Sequence, residues 1–328
     1  MSKVKINLAC GDYEIIRALK DGDVVADGID LNVLTDMDST TRHWRFIRNR
    51  DFEAAEVGSC AYFLAKDNDF PFYAIPVFPH RRFRHGFIFI NANAGISKPS
   101  DLIGRRIGVK AFQTSAVVWE RGILEHEYGV PHRSIDWFAE IDEDVDFTPP
   151  PGLRLHRLRH DQSVETMVAE GELDAVIHSS LIKPILNRDP RVKRLFPNYK
   201  EEERLFYEKT GIFPIMHVIG IKKELIDRDP WIAINLFHAF NRSKDKAMVR
   251  MENPRIAPLA WYREAWEEQF EVLGPDPWEY GLGDANRRNL EMIMKFLFEA
   301  GMTRKHLTVE DCFLDVSQGR KRGVEFRI

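Results

Sequence analysis

The sequence predicts an α/β fold in two lobes, on three observations. Short apolar runs of strand length alternate with helical patterns over most of the chain. Strand signals fade after about residue 229, which leaves a helical tail. If that tail returned to the first lobe, the chain would cross between the lobes twice. Two apolar runs, 86–91 and 215–222, lie at the positions of these crossings. We therefore expect lobe 1 to comprise 1–90 and 215–328, and lobe 2 to comprise 91–214, with a ligand cleft between them.

The first strand is predicted in "KINLA", because Val4, Ile6 and Leu8 alternate with polar residues. The same reasoning predicts strands at 28–34, 52–57, 72–78, 86–91, 174–179 and 214–222, and a strand that ends "DLIGRRIGVK". Helices are predicted at 40–50, 60–66, 115–129, 162–172, 230–251 and 285–301. The alternation indicates largely parallel sheets. The acidic, proline-rich stretch 139–152 is predicted to be a solvated loop.

Composition narrows the class of protein. Lys and Arg number 47 against 51 Asp and Glu, so charge gives little support to nucleic-acid binding. No apolar run reaches the length of a membrane helix. The three cysteines show no paired spacing, which indicates a reducing compartment. Because the first residues alternate like a strand and lack an apolar export segment, we expect a cytoplasmic protein. No cofactor or metal motif occurs in the sequence, so we expect neither.

Several segments resemble the 4,5-dihydroxyphthalate decarboxylase family over nearly the whole chain. They include "CGDYE" near the start, "IPVFPHRRFRHGF" after residue 74, "GIFPIMH" before residue 218 and "DPWEYGLGDANRRNL" near the end. The resemblance implies a type II periplasmic-binding-protein fold used as an enzyme. The sequence departs from the family around His80 and Arg82, at 112–116, at 58–61 and at 178–181. Fold and cleft are therefore better predicted than the substrate.

The resemblance implies a carboxy-lyase that needs no cofactor and acts on a hydroxylated aromatic or heteroaromatic acid. A general acid would protonate the ring carbon that bears the carboxylate, and CO₂ would leave as aromaticity returns. The partner would then be a small aromatic carboxylate, with no nucleic acid and no membrane. Homo-oligomerisation through the helical tail is compatible with the sequence. The alternative is a cytoplasmic binding or sensor protein of the same fold, which would hold such an acid without turnover.

Candidate catalytic residues are His85, His217 and Glu56. Arg84 and His85 match the family's Phe-Arg-His, and Arg81 also stands at a matching arginine; arginines here would hold a carboxylate. His217 lies in the second crossing strand, which in this fold would run near His85. Glu56 ends a predicted strand, and two roles remain open for it: a general acid whose pKa is raised by burial, or the structural partner of an arginine.

The other candidate residues would bind substrate because they end strands or begin a helix. Gln113, Thr114 and Ser115 open the helix 115–129, where free N–H groups attract anions, although Ser115 could act only as a cap. The remaining candidates at strand ends are Asp12, Tyr13, Ser59 and His178. For Asp12 and Tyr13 a simple turn with a packed ring is an equal alternative.

Overall fold

A computed structural model describes residues 3–316, which form two compact units. Unit 1 comprises 3–81, 217–287 and 307–316, and unit 2 comprises 82–216 and 288–306. Within the described range no helix is both long enough and apolar enough to span a bilayer.

The strands are β1 (Val4–Ala9), β2 (Ile29–Leu34), β3 (Ala54–Gly58), β4 (Phe72–Ile75), β5 (Ile88–Asn91), β6 (Arg106–Val109), β7 (Asp136–Ala139), β8 (Arg154–Arg157), β9 (Ala175–Ile177), β10 (Val192–Arg194) and β11 (His217–Lys222). The helices are α1 (Glu14–Lys20), α2 (Ser39–Trp44), α3 (Ser59–Asp67), α4 (Ser115–Tyr128), α5 (Val164–Glu170), α6 (Lys183–Leu186), α7 (Tyr199–Thr210), α8 (Lys223–Arg228), α9 (Trp231–Met251), α10 (Tyr262–Leu273), α11 (Asp284–Glu299) and α12 (Val309–Cys312). One π-helical turn, Arg45–Asn49, continues α2.

Unit 1 is built on a five-stranded sheet in the order β2-β1-β3-β11-β4. Strands β1, β2 and β3 pair in parallel, as expected for strands that are connected through helices. Strand β11 enters between β3 and β4 and runs antiparallel to both. The strand β3 is buried along its whole length, and α1 packs against α9.

Unit 2 is built on a six-stranded sheet in the order β10-β5-β9-β6-β7-β8. Strands β9, β6, β7 and β8 are parallel, and β5 is antiparallel to both β9 and β10. Helix α4 is followed by Gly129, whose φ of 65° is left-handed and closes the helix at the end predicted for it.

The fold class is confirmed, and three finer predictions were wrong. The sheets are mixed rather than largely parallel, because β5 and β11 enter antiparallel to their neighbours. The strand predicted at 72–78 ends at Ile75, since Pro76 and Pro79 have no N–H group to continue a ladder. The loop 139–152 is not simply solvated, because Val145 is buried and Phe147 stacks on Phe112.

The tail is divided between the units in the structure. The sequence predicts all of 215–328 in lobe 1, whereas residues 288–306 group with unit 2. The reason is packing inside unit 2: the Phe296 ring lies 5.8 Å from the Trp119 ring and against Gly122 of α4. Residues 82–90, predicted in lobe 1, also group with unit 2.

Candidate active site

Glu56 of β3 is the centre of a polar cluster in unit 1. Its side chain is fully buried. In the register between β3 and β11, His217 stands opposite Gly58 and Ile219 opposite Glu56. Glu56 and His217 are therefore diagonal neighbours on one face of the sheet, within reach of each other.

The segment that follows β1 gives Glu56 three hydrogen bonds. The Gly11 N–H donates to Oε2 at 2.6 Å, and the Tyr13 hydroxyl donates to Oε1 at 2.9 Å. The Cys10 thiol donates to Oε2 at 3.4 Å. Gly11 is required here because a Cβ at that position would lie 2.3 Å from the Tyr13 ring.

Arg42 of α2 supplies the opposite charge. Its guanidinium lies 3.0 Å from Glu56 Oε2, and both side chains are almost completely buried. The same guanidinium donates to the backbone carbonyl of Glu56 at 3.2 Å and to that of Met37 at 3.4 Å. Arg42 is thus fixed to the strand by its charge and by backbone contacts.

His217 completes the cluster. Its Nδ1 forms a hydrogen bond with Glu56 Oε1, and its side chain keeps 13% exposure. Two other imidazoles contact its ring edge to face: His43 at 5.0 Å between centroids and His80 at 4.7 Å. The Tyr13 ring in turn stacks 6.1 Å from His80.

The charges of this cluster keep Glu56 ionised. Burial alone would raise the pKa of Glu56, but the charge and hydrogen bond of His217 oppose it. With Arg42 and the Gly11 N–H, they hold the pKa of Glu56 below its usual range. Burial and the Glu56 charge together raise the pKa values of Cys10 and Tyr13, so both remain protonated hydrogen-bond donors.

A metal ion has no evident place in this cluster. Among residues 3–316 no group of three or more His, Cys, Asp or Glu side chains is placed to hold one.

Two other predicted residues of unit 1, Asp12 and Arg81, form contacts with groups other than Glu56. Asp12 is exposed and forms an ion pair with Lys20 at 3.0 Å. Ser59 is buried as the first residue of α3. Arg81 is also buried, and its guanidinium donates to the Glu279 carbonyl at 2.9 Å and to Asn286.

Arg84 and His178 belong to unit 2. The Arg84 guanidinium is buried, lies 3.3 Å from Glu120 and donates to the His178 carbonyl at 2.7 Å. Burial raises the pKa of Glu120 to about 8, although the Arg84 charge lowers it. The His178 ring accepts from the Ser180 N–H at 3.1 Å, and burial lowers the pKa of His178. The Arg84 guanidinium thus pairs with groups of its own unit.

His85 lies in an aromatic enclosure inside unit 2. The rings of Tyr128, Phe196 and Phe206 stand 5.9, 5.3 and 5.5 Å from it. Among the residues that the structure describes, neither ring nitrogen has a hydrogen-bond partner. Burial lowers the pKa of His85 to about 4, so its imidazole is neutral at pH 7.

The residues before α4 bind a carboxylate of the chain itself. The N–H groups of Phe112 and Gln113 donate to the two oxygens of Glu143 at 2.7 and 2.9 Å. The Gln113 side-chain amide is paired with the backbone of Val145. Thr114 is the N-cap residue of α4, and Ser115 is buried as its first residue. The N–H groups predicted to attract an anion therefore hold Glu143.

The structure thus brings together three of the predicted residues, Tyr13, Glu56 and His217. It adds Cys10, Arg42, His43 and His80, none of which was among the predicted site residues. Arg42 and His43 lie in a segment correctly predicted as helical, but a helical pattern does not tell which side chains face the sheet. Cys10 follows β1 directly, so the strand-end argument used for Asp12 and Tyr13 applied to it equally.

Comparison with known proteins identifies the family. A curated 4,5-dihydroxyphthalate decarboxylase of Comamonas testosteroni is 33% identical over 306 residues, which cover 90% of this chain and 91% of that protein. A second protein of that name, from Pseudomonas putida, is 32% identical over 203 residues, or 60% of this chain and 78% of the relative. The chain belongs to the 4,5-dihydroxyphthalate decarboxylase family. It is therefore a decarboxylase, a carboxy-lyase, as the sequence predicted. No family model matches the chain.

Solved structures agree on the fold. A periplasmic sulfonate-binding protein, SsuA of Methylobacillus flagellatus KT, superposes with a TM-score of 0.57 over 98% of this chain and 97% of its own. Identity is only 10%, so the likeness concerns the fold alone. The decarboxylase thus has a type II periplasmic-binding-protein fold, as predicted.

Proposed function

We propose that this decarboxylase acts on a phthalate-like acid, a hydroxylated aromatic ring with adjacent carboxylates, and that His217 supplies the proton that replaces CO₂. The observation that carries the proposal is the buried Glu56–His217 pair, an imidazole held at one nitrogen by an ionised carboxylate. The curated relatives bear the name of a decarboxylase of such an acid.

Glu56 is proposed as the partner of His217 and not as the acid. A carboxyl group whose pKa lies below its usual range carries no proton at neutral pH, so it cannot donate one. Of the two roles left open by the sequence, the paired role fits the ion pair with Arg42. The carboxylate fixes Nδ1 of His217 by a hydrogen bond, which leaves Nε2 for proton transfer.

The chemistry asks for one proton per turnover. In 4,5-dihydroxyphthalate each hydroxyl is para to a carboxylate and pushes electron density toward the ring carbon that bears it. His217 Nε2–H would transfer its proton to that carbon, which forms the new C–H bond and breaks aromaticity. The C–C bond to the carboxylate then breaks, its electron pair returns to the ring, and CO₂ leaves. The neutral His217 regains its proton from water.

His85 is not the donor in this proposal. It is enclosed by aromatic rings, and its pKa of about 4 leaves it neutral at working pH. An imidazolium at that position would need a counter-charge that its enclosure of Tyr128, Phe196 and Phe206 does not supply.

The test compares the two candidate donors. Purified protein is supplied with 4,5-dihydroxyphthalate in D₂O, and both CO₂ and 3,4-dihydroxybenzoate are measured. We expect product with one deuterium at the vacated ring carbon. We expect His217→Gln to lower kcat by about 10²–10⁴-fold, the usual contribution of a general acid.

The control is His238→Gln, because His238 is an exposed residue of α9 in the same unit. It should leave kcat unchanged. Full activity of His217→Gln, with loss in His85→Gln, would move the donor role to His85. Recovery of the acid intact with wild-type protein would reject the substrate class.

A further inference from the structure

Glu56 alone does not define the orientation of the proposed donor. The bond from Cβ and the hydrogen bond at Nδ1 fix two points of the His217 side chain, and the ring plane can still turn about the line that joins them. The direction in which Nε2 points is set by that plane. Proton transfer to carbon depends steeply on such alignment, since a displacement of about 1 Å can cost about 10²-fold in rate.

We propose that His43 is a positioning residue that fixes the ring plane of His217 for proton transfer. The two rings are 5.0 Å apart between centroids and perpendicular. His80 makes a second edge-to-face contact, at 4.7 Å and 70°. Two ring contacts and one hydrogen bond together define both the position and the plane of the imidazole.

Helix α2 makes His43 a firm support. Its N-cap residue Asp38 accepts the Thr41 N–H at 3.1 Å. The residue next to His43 is Arg42, whose guanidinium contacts both the side chain and the backbone of Glu56. Movement of α2 would break the buried Arg42–Glu56 pair, which is costly. The helix therefore holds both members of the Glu56–His217 pair through consecutive residues.

The charge state of His43 suits this role. Burial, followed by the charges of His217 and Arg42, lowers its pKa well below the usual value. His43 is thus a neutral ring beside an imidazole that must carry a proton, and the two do not repel. Its Nε2 is buried and has no hydrogen-bond partner among the described residues, so the contact depends on the ring rather than on a polar bond.

The inference rests on the proposed function, and its test uses ring and ring-less replacements. His43→Leu and His43→Gln remove the ring, whereas His43→Phe keeps a flat ring and loses no hydrogen bond through Nε2. With 4,5-dihydroxyphthalate we expect kcat to fall about 10-fold or more in the ring-less variants, and KM to stay within about twofold. The solvent deuterium isotope effect on kcat should increase, because proton transfer becomes slower relative to other steps. His43→Phe should recover most of kcat.

His238→Leu, on the exposed face of α9, is the matched control and should match wild-type protein. Thermal melting of each variant shows whether it folds. If one of the two ring-less variants does not fold, the other is enough for the comparison. Normal kcat in the ring-less variants, or a Phe variant no faster than them, would overturn the role of His43. The role of His43 can fail while the proposed function stands: wild-type protein then releases CO₂ and His217→Gln does not. If wild-type protein releases no CO₂, the proposed function itself is rejected.

Discussion

At the scale of single residues, Glu56 and Arg42 depend on each other. Both are buried, and each carries the charge that compensates the other. Removing one partner leaves a buried charge without its counter-ion, whereas removing both leaves two neutral side chains in a packed site. The ion pair is therefore expected to behave as one unit in any mutational analysis.

We predict that Glu56→Gln destabilises the fold by about 3–5 kcal/mol, and Arg42→Met by a similar amount. The double variant should lose clearly less than the sum of the two, because no uncompensated charge remains. Urea denaturation of the wild-type protein and the three variants measures the coupling. Losses that simply add would contradict a mutually dependent pair.

The lowered pKa of His85 predicts that the stability of the protein depends on pH. Its pKa is lowered to about 4 in the folded protein, against an ordinary value near 6.5. As the pH falls below 6.5, His85 binds a proton in the unfolded chain but not in the folded protein, so the free energy of unfolding decreases. His85→Phe removes this group. We expect the stability of the variant relative to wild type to increase by roughly 1–2 kcal/mol between pH 7 and pH 5.

The measurement is urea denaturation of both proteins at the two pH values. His126→Phe is a control, because that ring is about one-third exposed and pairs with Glu299 at the surface. A stability difference between His85→Phe and wild type that stays constant with pH would contradict the lowered pKa, because His85 would then bind its proton equally in the folded and unfolded states.

At the scale of elements, helices α4 and α11 meet through a residue without a side chain. A Cβ on Gly122 would lie 2.0 Å from the Phe296 ring, far inside contact distance. We predict that Gly122→Ala destabilises unit 2 by about 1–3 kcal/mol, although alanine favours helices. Phe296→Leu should restore part of the loss. Thermal melting of the single and double variants tests this, and a stabilised Gly122→Ala would contradict it.

Helices and strands with a clear apolar periodicity could be predicted from the sequence, and those without one could not. Strand β1 shows period-two alternation, and α4 has an apolar pattern closed by Gly129. Strand β8 holds only one apolar residue, Leu155, and is a strand because it pairs with β7. Helix α10 has no buried residue, so no apolar face packed on a core marks it in the sequence. Both were missed for these reasons.

At the scale of the whole molecule, the candidate site joins residues that are far apart in the chain. Glu56 is 14 residues from Arg42 and 161 from His217. The sequence placed Tyr13 and Glu56 at strand ends, because that rule depends on the fold class alone. It could not pair Glu56 with His217, since that contact needs the register between β3 and β11. Nor could it show that Glu143 binds the N–H groups before α4.

Neither unit is a continuous stretch of chain, and this leads to a prediction about folding. The core of unit 2 includes Phe296, which packs on Trp119 of α4, and α11 also pairs through Glu299 with His126 at 2.7 Å. Residues 82–216 produced alone should therefore lack a cooperative thermal transition or melt at a lower temperature. Adding a peptide of residues 288–306 should raise the melting temperature in a concentration-dependent way, because it binds only the folded form. The same peptide with Phe296→Asp should not. If 82–216 melts identically with and without the peptide, these contacts are not part of the folding unit.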